Sequence, residues 1–123
     1  MEVLSVLIVE DEGLIALHLQ ELLEKAGYNV LDLVPSGEDA IEYVKTFPAP
    51  DLIFMDITLD GRLDGIETAR EILTRFKIPI IFLTAHTETN LLARIKDLTL
   101  CGFIAKPFTY SEIVSGIEKA LGR

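Results

Sequence analysis

Short apolar runs alternate with stretches of helical periodicity about five times along the chain, the rhythm of repeated βαβ units. The first run, Leu4 to Val9, is rich in branched residues and almost wholly apolar, as expected of a central strand covered on both faces. Ile15, Leu19, Leu22, Leu23 and Ala26 then recur at helical spacing up to Gly27, a suitable C-terminal cap, and predict the first helix. Tyr28 to Val34 reads as the second strand. Ser36-Gly37-Glu38-Asp39 reads as a helix start, with Ala40, Ile41, Val44 and Phe47 as its apolar face and Pro48 and Pro50 ending it. Leu52 to Met55 predicts the third strand, Asp64 to Glu67 the capped start of a third helix, and Ile80 to Leu83 the fourth strand. A helix from about Glu88 to Leu98, with Leu91, Leu92, Ile95 and Leu98 on its apolar side, precedes a short strand from Cys101 to Ala105. Thr109 and Glu112 form a capping box for the last helix, where Phe108 can staple onto Ile113.

Five strands alternating with five helices imply an α/β fold with a doubly wound parallel sheet, because parallel neighbours need right-handed crossovers. No repeat, linker or low-complexity stretch interrupts the 123 residues, half of them hydrophobic, so residues 1–123 read as one domain. The formal net charge of -9 argues against a direct nucleic-acid or anionic-membrane partner, since either needs a basic face. Met1 to Val9 is too short to span a bilayer and runs into Glu10-Asp11-Glu12, so no membrane insertion is expected. Cys101 is the only cysteine, which agrees with a reducing compartment, and the cytoplasm is the expected location.

In such a fold, function sits at the carboxyl ends of the strands. The first strand ends in Glu10-Asp11, the third in Asp56, the fourth in Thr84 and the fifth in Lys106. Carboxylates ~4 Å apart repel by roughly 4 kcal/mol at an effective dielectric of about 20, a conflict that a bound cation removes. Oxygen ligands favour a hard ion such as Mg²⁺, which keeps waters that a substrate phosphate can replace. Thr84 and Lys106 supply a hydroxyl donor and a cationic anchor for a phosphoryl oxygen, and Asp56 becomes the candidate nucleophile. Each residue alone also has a plain reading, as a solvated loop acid, a turn threonine or a surface lysine. Their joint placement at one sheet edge favours the site.

The ordered motifs Val9-Glu10-Asp11-Glu12, Phe54-Met55-Asp56-Ile57, Leu83-Thr84-Ala85 and Ala105-Lys106-Pro107-Phe108 resemble those of the receiver domains of two-component response regulators, over essentially the whole chain. The resemblance implies the flavodoxin-like receiver fold with strand order 2-1-3-4-5, for which a chemotaxis receiver is a known example. It also implies that Glu10, Asp11, Asp56 and the backbone carbonyl of Thr58 hold Mg²⁺. Asp56 is then the phosphoacceptor, Thr84 and Lys106 bind the phosphoryl group, and Lys106-Pro107 is a cis peptide. Such a protein is a signalling switch and not an enzyme in the ordinary sense: it promotes its own phosphoryl transfer and a slow hydrolysis of the aspartyl phosphate. Its partners would be a histidine kinase or phosphotransfer protein and a downstream protein target.

By the same resemblance, Thr84 and Phe103 form the switch, and helix four, strand five and helix five form the readout face. Thr58 and His86 are candidates for tuning the lifetime of the phosphorylated state. His86 also reads as a solvated loop residue and Phe103 as an ordinary aromatic. His18 reads as a surface histidine. Leu14 and Leu17 lie off the core stripe of helix one and are candidate contacts for a homodimer. The chain departs from the common family pattern at Leu59-Asp60-Gly61-Arg62-Leu63, where many receivers carry a proline four positions past the aspartate and a loop one residue shorter. It ends at Leu121-Gly122-Arg123, just past the last helix, so no output domain is expected to follow, whether the chain is a free-standing regulator or a piece of a larger protein. Three rivals share parts of the pattern. A haloacid dehalogenase-type phosphatase needs a second acid where Thr58 stands, a flavodoxin-like carrier needs a Ser/Thr/Gly-rich loop after strand one, and an unphosphorylated interaction module needs none of the acids.

Overall fold

The five apolar runs pair side by side in one parallel sheet of order β2-β1-β3-β4-β5, formed by β1 (Ser5–Val9), β2 (Asn29–Val34), β3 (Leu52–Asp56), β4 (Ile80–Thr84) and β5 (Cys101–Ala105). The computed structural model describes residues 3–85 and 90–122. Between the strands run α1 (Gly13–Lys25), α2 (Gly37–Thr46), α3 (Gly65–Leu73), α4 (Leu91–Ile95) and α5 (Tyr110–Ala120). The sheet order and helix number match the flavodoxin-like receiver expectation.

Strand alternation divides the core into two layers. Val6, Ile8, Leu52 and Phe54 point toward α1 and α5, where they meet Leu19, Leu23, Ile113 and Ile117. Leu7, Val9, Ile53 and Met55 point the other way, toward Ala40 and Val44 of α2, Ile66, Ala69 and Ile72 of α3, and Leu91 and Ile95 of α4. With both faces covered, β3 and β4 are buried along their whole lengths, which accounts for their apolar sequences up to the final Asp56 and Thr84.

The helix ends follow local chemistry. Ser36 caps α2 by accepting from the Asp39 N–H at 3.1 Å. Asp64 and Glu67 form a reciprocal box at α3, and Thr109 and Glu112 another at α5. Gly27, with φ of 95°, ends α1 in the left-handed conformation that favours glycine. Some expectations change. Phe47 is not on the buried face of α2: it is the C-terminal cap residue, half exposed, with its ring against Tyr43. Ala16 joins the core face of α1, while Ile15 and Leu22 are only partly covered. The predicted start of the fourth helix at Glu88 lies outside the described residues, and α4 is seen over Leu91–Ile95.

Candidate functional site

Apolar strands that stop at one edge of the sheet deliver their first polar residues to the same place. Glu10 and Asp11 follow β1, Asp56 ends β3, Thr84 ends β4 and Lys106 follows β5. Glu10, Asp11 and Asp56 offer carboxylate oxygens that all lie within 4.8 Å of one another. The Lys106 ammonium sits 2.9 Å from Glu10 Oε1 and 3.2 Å from Asp56 Oδ1 and so ties the first and third strands to the fifth. The structure thus brings the acids and the lysine together. The Lys106-Pro107 peptide is cis, as the resemblance implied.

Burial sharpens the electrostatics. Glu10 and Asp56 are 3% and 5% exposed, too little for water to screen them. Burial, and then the neighbouring Asp56, push the Glu10 carboxyl up from its ordinary 4.5 to about 7, against the opposing pull of Lys106. Burial alone would lower the Lys106 pKa, but its contacts with Glu10 and the charge of Asp56 outweigh that and raise it. The backbone supplies further restraints. Glu12 N–H donates to Glu10 Oε2 at 3.2 Å, Thr58 N–H to Asp56 Oδ1 at 3.3 Å, and Asp60 N–H to Asp11 Oδ2 at 3.3 Å.

Three clustered carboxylates face one ammonium, and Glu10 Oε1 is buried with no well-directed hydrogen bond among the described residues, its contact with Lys106 being an ion pair only. A set of oxygen donors with surplus negative charge fits a hard divalent cation. The Thr84 hydroxyl is buried and donates to the Ala85 carbonyl at 3.0 Å. Phe103 on β5 is 49% exposed, beside Phe82 in register. The Thr58 side chain is exposed, and His86 lies outside the described residues. His18 is exposed and stacks on Phe108, with ring centroids 5.6 Å apart.

Two features of the site had no signal in the strand-end reading. Glu38 of α2 accepts the Leu63 N–H at 3.0 Å, so a second helix reaches the loop after Asp56. Gly65 approaches so closely that a Cβ there would lie 2.0 Å from the Asp56 carbonyl oxygen. Glycine after an aspartate cap is legible as a helix start, but the atom it must avoid belongs to another element.

A prediction follows from the crowded acids. The raised Glu10 value means that the native state binds more protons than the unfolded chain between pH 4.5 and about 7. The stability this group contributes to the metal-free protein is complete below pH 4.5 and lost as pH rises through about 7. Asp56→Asn removes one of the repelling charges, so in chelator at pH 8 the variant should be more stable than wild type by about 1 kcal/mol, the scale of one pKa unit on a neighbour. At pH 5 the advantage should shrink. Thermal unfolding at the two pH values checks both; a variant less stable at pH 8 would contradict the repulsion.

A sequence model of the response regulator receiver domain matches residues 6–118. Among curated proteins, the transcriptional regulatory protein PdtaR of Mycobacterium tuberculosis is 37% identical over 118 residues, which is 96% of this chain and 57% of that protein. The chain spans about half the length of the curated relatives it matches. The signal receiver domain of a modulated diguanylate cyclase from Desulfovibrio desulfuricans G20 has a TM-score of 0.89 at 36% identity, covering 98% of this chain and 95% of that one. The receiver domain of a Pseudomonas aeruginosa PAO1 sensor histidine kinase, solved with a magnesium ion coordinated in its active site cleft, has a TM-score of 0.85 at 28% identity, covering 99% of this chain and 100% of that one.

Proposed function

This chain belongs to the response regulator receiver domains, and on that premise we propose that it accepts a phosphoryl group from a histidine kinase or phosphotransfer protein onto Asp56 and thereby switches a downstream protein. The single observation that carries the reading is the Lys106 ammonium held between Glu10 and Asp56 at the shared end of β1, β3 and β5. An ammonium so placed, beside a buried carboxylate at a sheet edge, orients Asp56 and is in position to pair with an incoming phosphoryl oxygen.

In the proposed step an Asp56 carboxylate oxygen attacks phosphorus, the P–N bond of the donor phosphohistidine breaks, and the leaving imidazole retains the bond's electron pair and takes up a proton. Glu10, Asp11, Asp56 and the Thr58 carbonyl are the residues that would hold Mg²⁺, which when bound neutralises charge on the transferring oxygens. Lys106 pairs with one phosphoryl oxygen. Thr84 turns its hydroxyl from the Ala85 carbonyl toward another, since the aspartyl phosphate brings about two negative charges and three acceptor oxygens. The space released beside β4 admits the half-exposed Phe103, which biases an existing equilibrium of the α4, β5 and α5 face. Thr58, and His86 from outside the described residues, set access of hydrolytic water. The setting is the cytoplasm, and the exposed Leu14 and Leu17 of α1 are candidate contacts of a homodimer. No helix among the described residues is long and apolar enough to cross a membrane.

Incubation with acetyl phosphate and Mg²⁺, followed by intact-mass measurement, tests the reading. Wild type should gain the mass of one phosphoryl group and Asp56→Asn none. No gain in wild type, or equal gain in the variant, would overturn it.

A further inference from the structure

The connection from Asp56 to α3 departs from the common receiver pattern, and among the bonds that hold its backbone are four along its length. Thr58 N–H donates to Asp56 Oδ1, Asp60 N–H to Asp11 Oδ2, Leu63 N–H to Glu38 Oε1, and Gly65 N–H to the Ile57 carbonyl at 2.8 Å. Asp56 and Asp11 belong to the acidic cluster, so a bound cation competes with the loop for their oxygens. Glu38 does not belong to it. Apart from Glu67, which accepts the Asp64 N–H within the cap of α3, Glu38 is the side-chain acceptor of this loop that can keep its grip when the cluster is engaged.

The geometry around Glu38 is specific. Gly61 has a φ of 109°, which favours glycine, and a Cβ there would lie 2.7 Å from Glu38 Oε2. Glycine at this position therefore leaves room for one oxygen of the carboxylate while the loop donates to the other. Buried Gly37 lets the start of α2 come this near, because a Cβ at that position would meet Thr68 Oγ1 at 1.9 Å and Leu63 Cβ at 3.4 Å. Glu38 is also not needed as a helix cap, since Ser36 performs that task.

We propose that Glu38 is a positioning residue for the acidic site: its carboxylate latches the loop after Asp56, and so holds the Thr58 carbonyl and the Asp60 N–H at the places from which they serve the cation and Asp11. The inference rests on the proposed function and adds to it a residue outside the strand ends.

The test compares wild type, Glu38→Ala, Glu38→Gln and Asp56→Asn. Mg²⁺ affinity is measured by calorimetry, phosphate uptake from acetyl phosphate at limiting and saturating Mg²⁺, and exchange protection of the Leu63 amide by NMR. Glu38→Ala should lose Leu63 protection and bind Mg²⁺ about tenfold more weakly, as when a partner orienting a metal ligand is removed. Its phosphate uptake should fall at limiting Mg²⁺ and recover at saturation. Glu38→Gln keeps an acceptor oxygen for Leu63 and should bind Mg²⁺ within about twofold of wild type, well inside that loss. Wild-type Mg²⁺ affinity in Glu38→Ala, or equal defects in the two variants, would overturn the latch. Wild type that neither binds Mg²⁺ nor gains phosphate, or Asp56→Asn that gains it equally, would overturn the function itself, and that outcome is visible without any Glu38 variant.

Discussion

Lys106→Met should slow phosphate uptake from acetyl phosphate by about two to three orders of magnitude, the usual scale for removing a positioned donor to developing charge. It should also destabilise the metal-free protein by about 2 to 4 kcal/mol, because one partner of a buried ionic contact is left alone. The Lys106 side chain is only 20% exposed and its partners 0% and 7%, so solvent replaces little of the lost interaction. The pH dependence has a defined shape. Lys106 has a raised value, so its contribution is full below the ordinary amine value of 10.5 and is lost as pH climbs through the folded value. Toward acid, Glu10 takes a proton as pH falls through about 7 in wild type, and earlier in the variant, which lacks the lowering effect of Lys106, so the variant then buries one unpaired charge fewer. The gap between variant and wild type should therefore be widest between those two limits and narrow on either side. Urea unfolding in chelator across this range measures it, and a gap independent of pH would rule out the ionic explanation. Added Mg²⁺ should narrow the stability gap by supplying positive charge to the same acids, while leaving uptake slow.

Gly65→Ala should be worse for the fold, with a loss of at least about 3 kcal/mol, the upper range for forcing atoms into a packed interior. Its Cβ would stand 2.0 Å from the Asp56 carbonyl oxygen, 2.8 Å from the Asp56 carbonyl carbon and 2.9 Å from Ile57 Cα. All three are backbone atoms, so no side-chain rotation relieves the overlap. Relief requires α3 to retreat from β3, which breaks the bond from Gly65 N–H to the Ile57 carbonyl and moves the residue proposed to accept phosphate. Gly13→Ala is the matched control, because nothing lies within 4 Å of a Cβ at the first residue of α1 and alanine there is neutral or mildly favourable. Similar melting temperatures for both variants would contradict the close approach.

The sequence by itself determined the order and kind of the elements. A strand buried on both faces must be apolar along its covered length, and β1 from Val6, β3 up to Met55 and β4 up to Leu83 are; a helix start must satisfy its free N–H groups, and Ser36, Asp64 and Thr109 do so from within their own segments. It also indicated which residues could meet, because parallel strands all end at one edge and Glu10, Asp11, Asp56, Thr84 and Lys106 are the polar residues at those ends. Contacts between elements were decided by the tertiary structure alone. Phe47 keeps helical spacing with Val44 yet lies at the cap, where the chain has already turned extended. Glu38 reads in sequence as a first-turn acid of α2, and only the approach of that helix to the loop gives it the Leu63 N–H. Gly65 reads as a small residue after a cap, and only the packing of α3 against β3 makes any larger residue collide with Asp56. Periodicity and capping are written within a dozen residues of chain, whereas the distances between Glu10, Lys106 and Asp56 and the hold of Glu38 on its loop arise only when two packed layers close around the sheet.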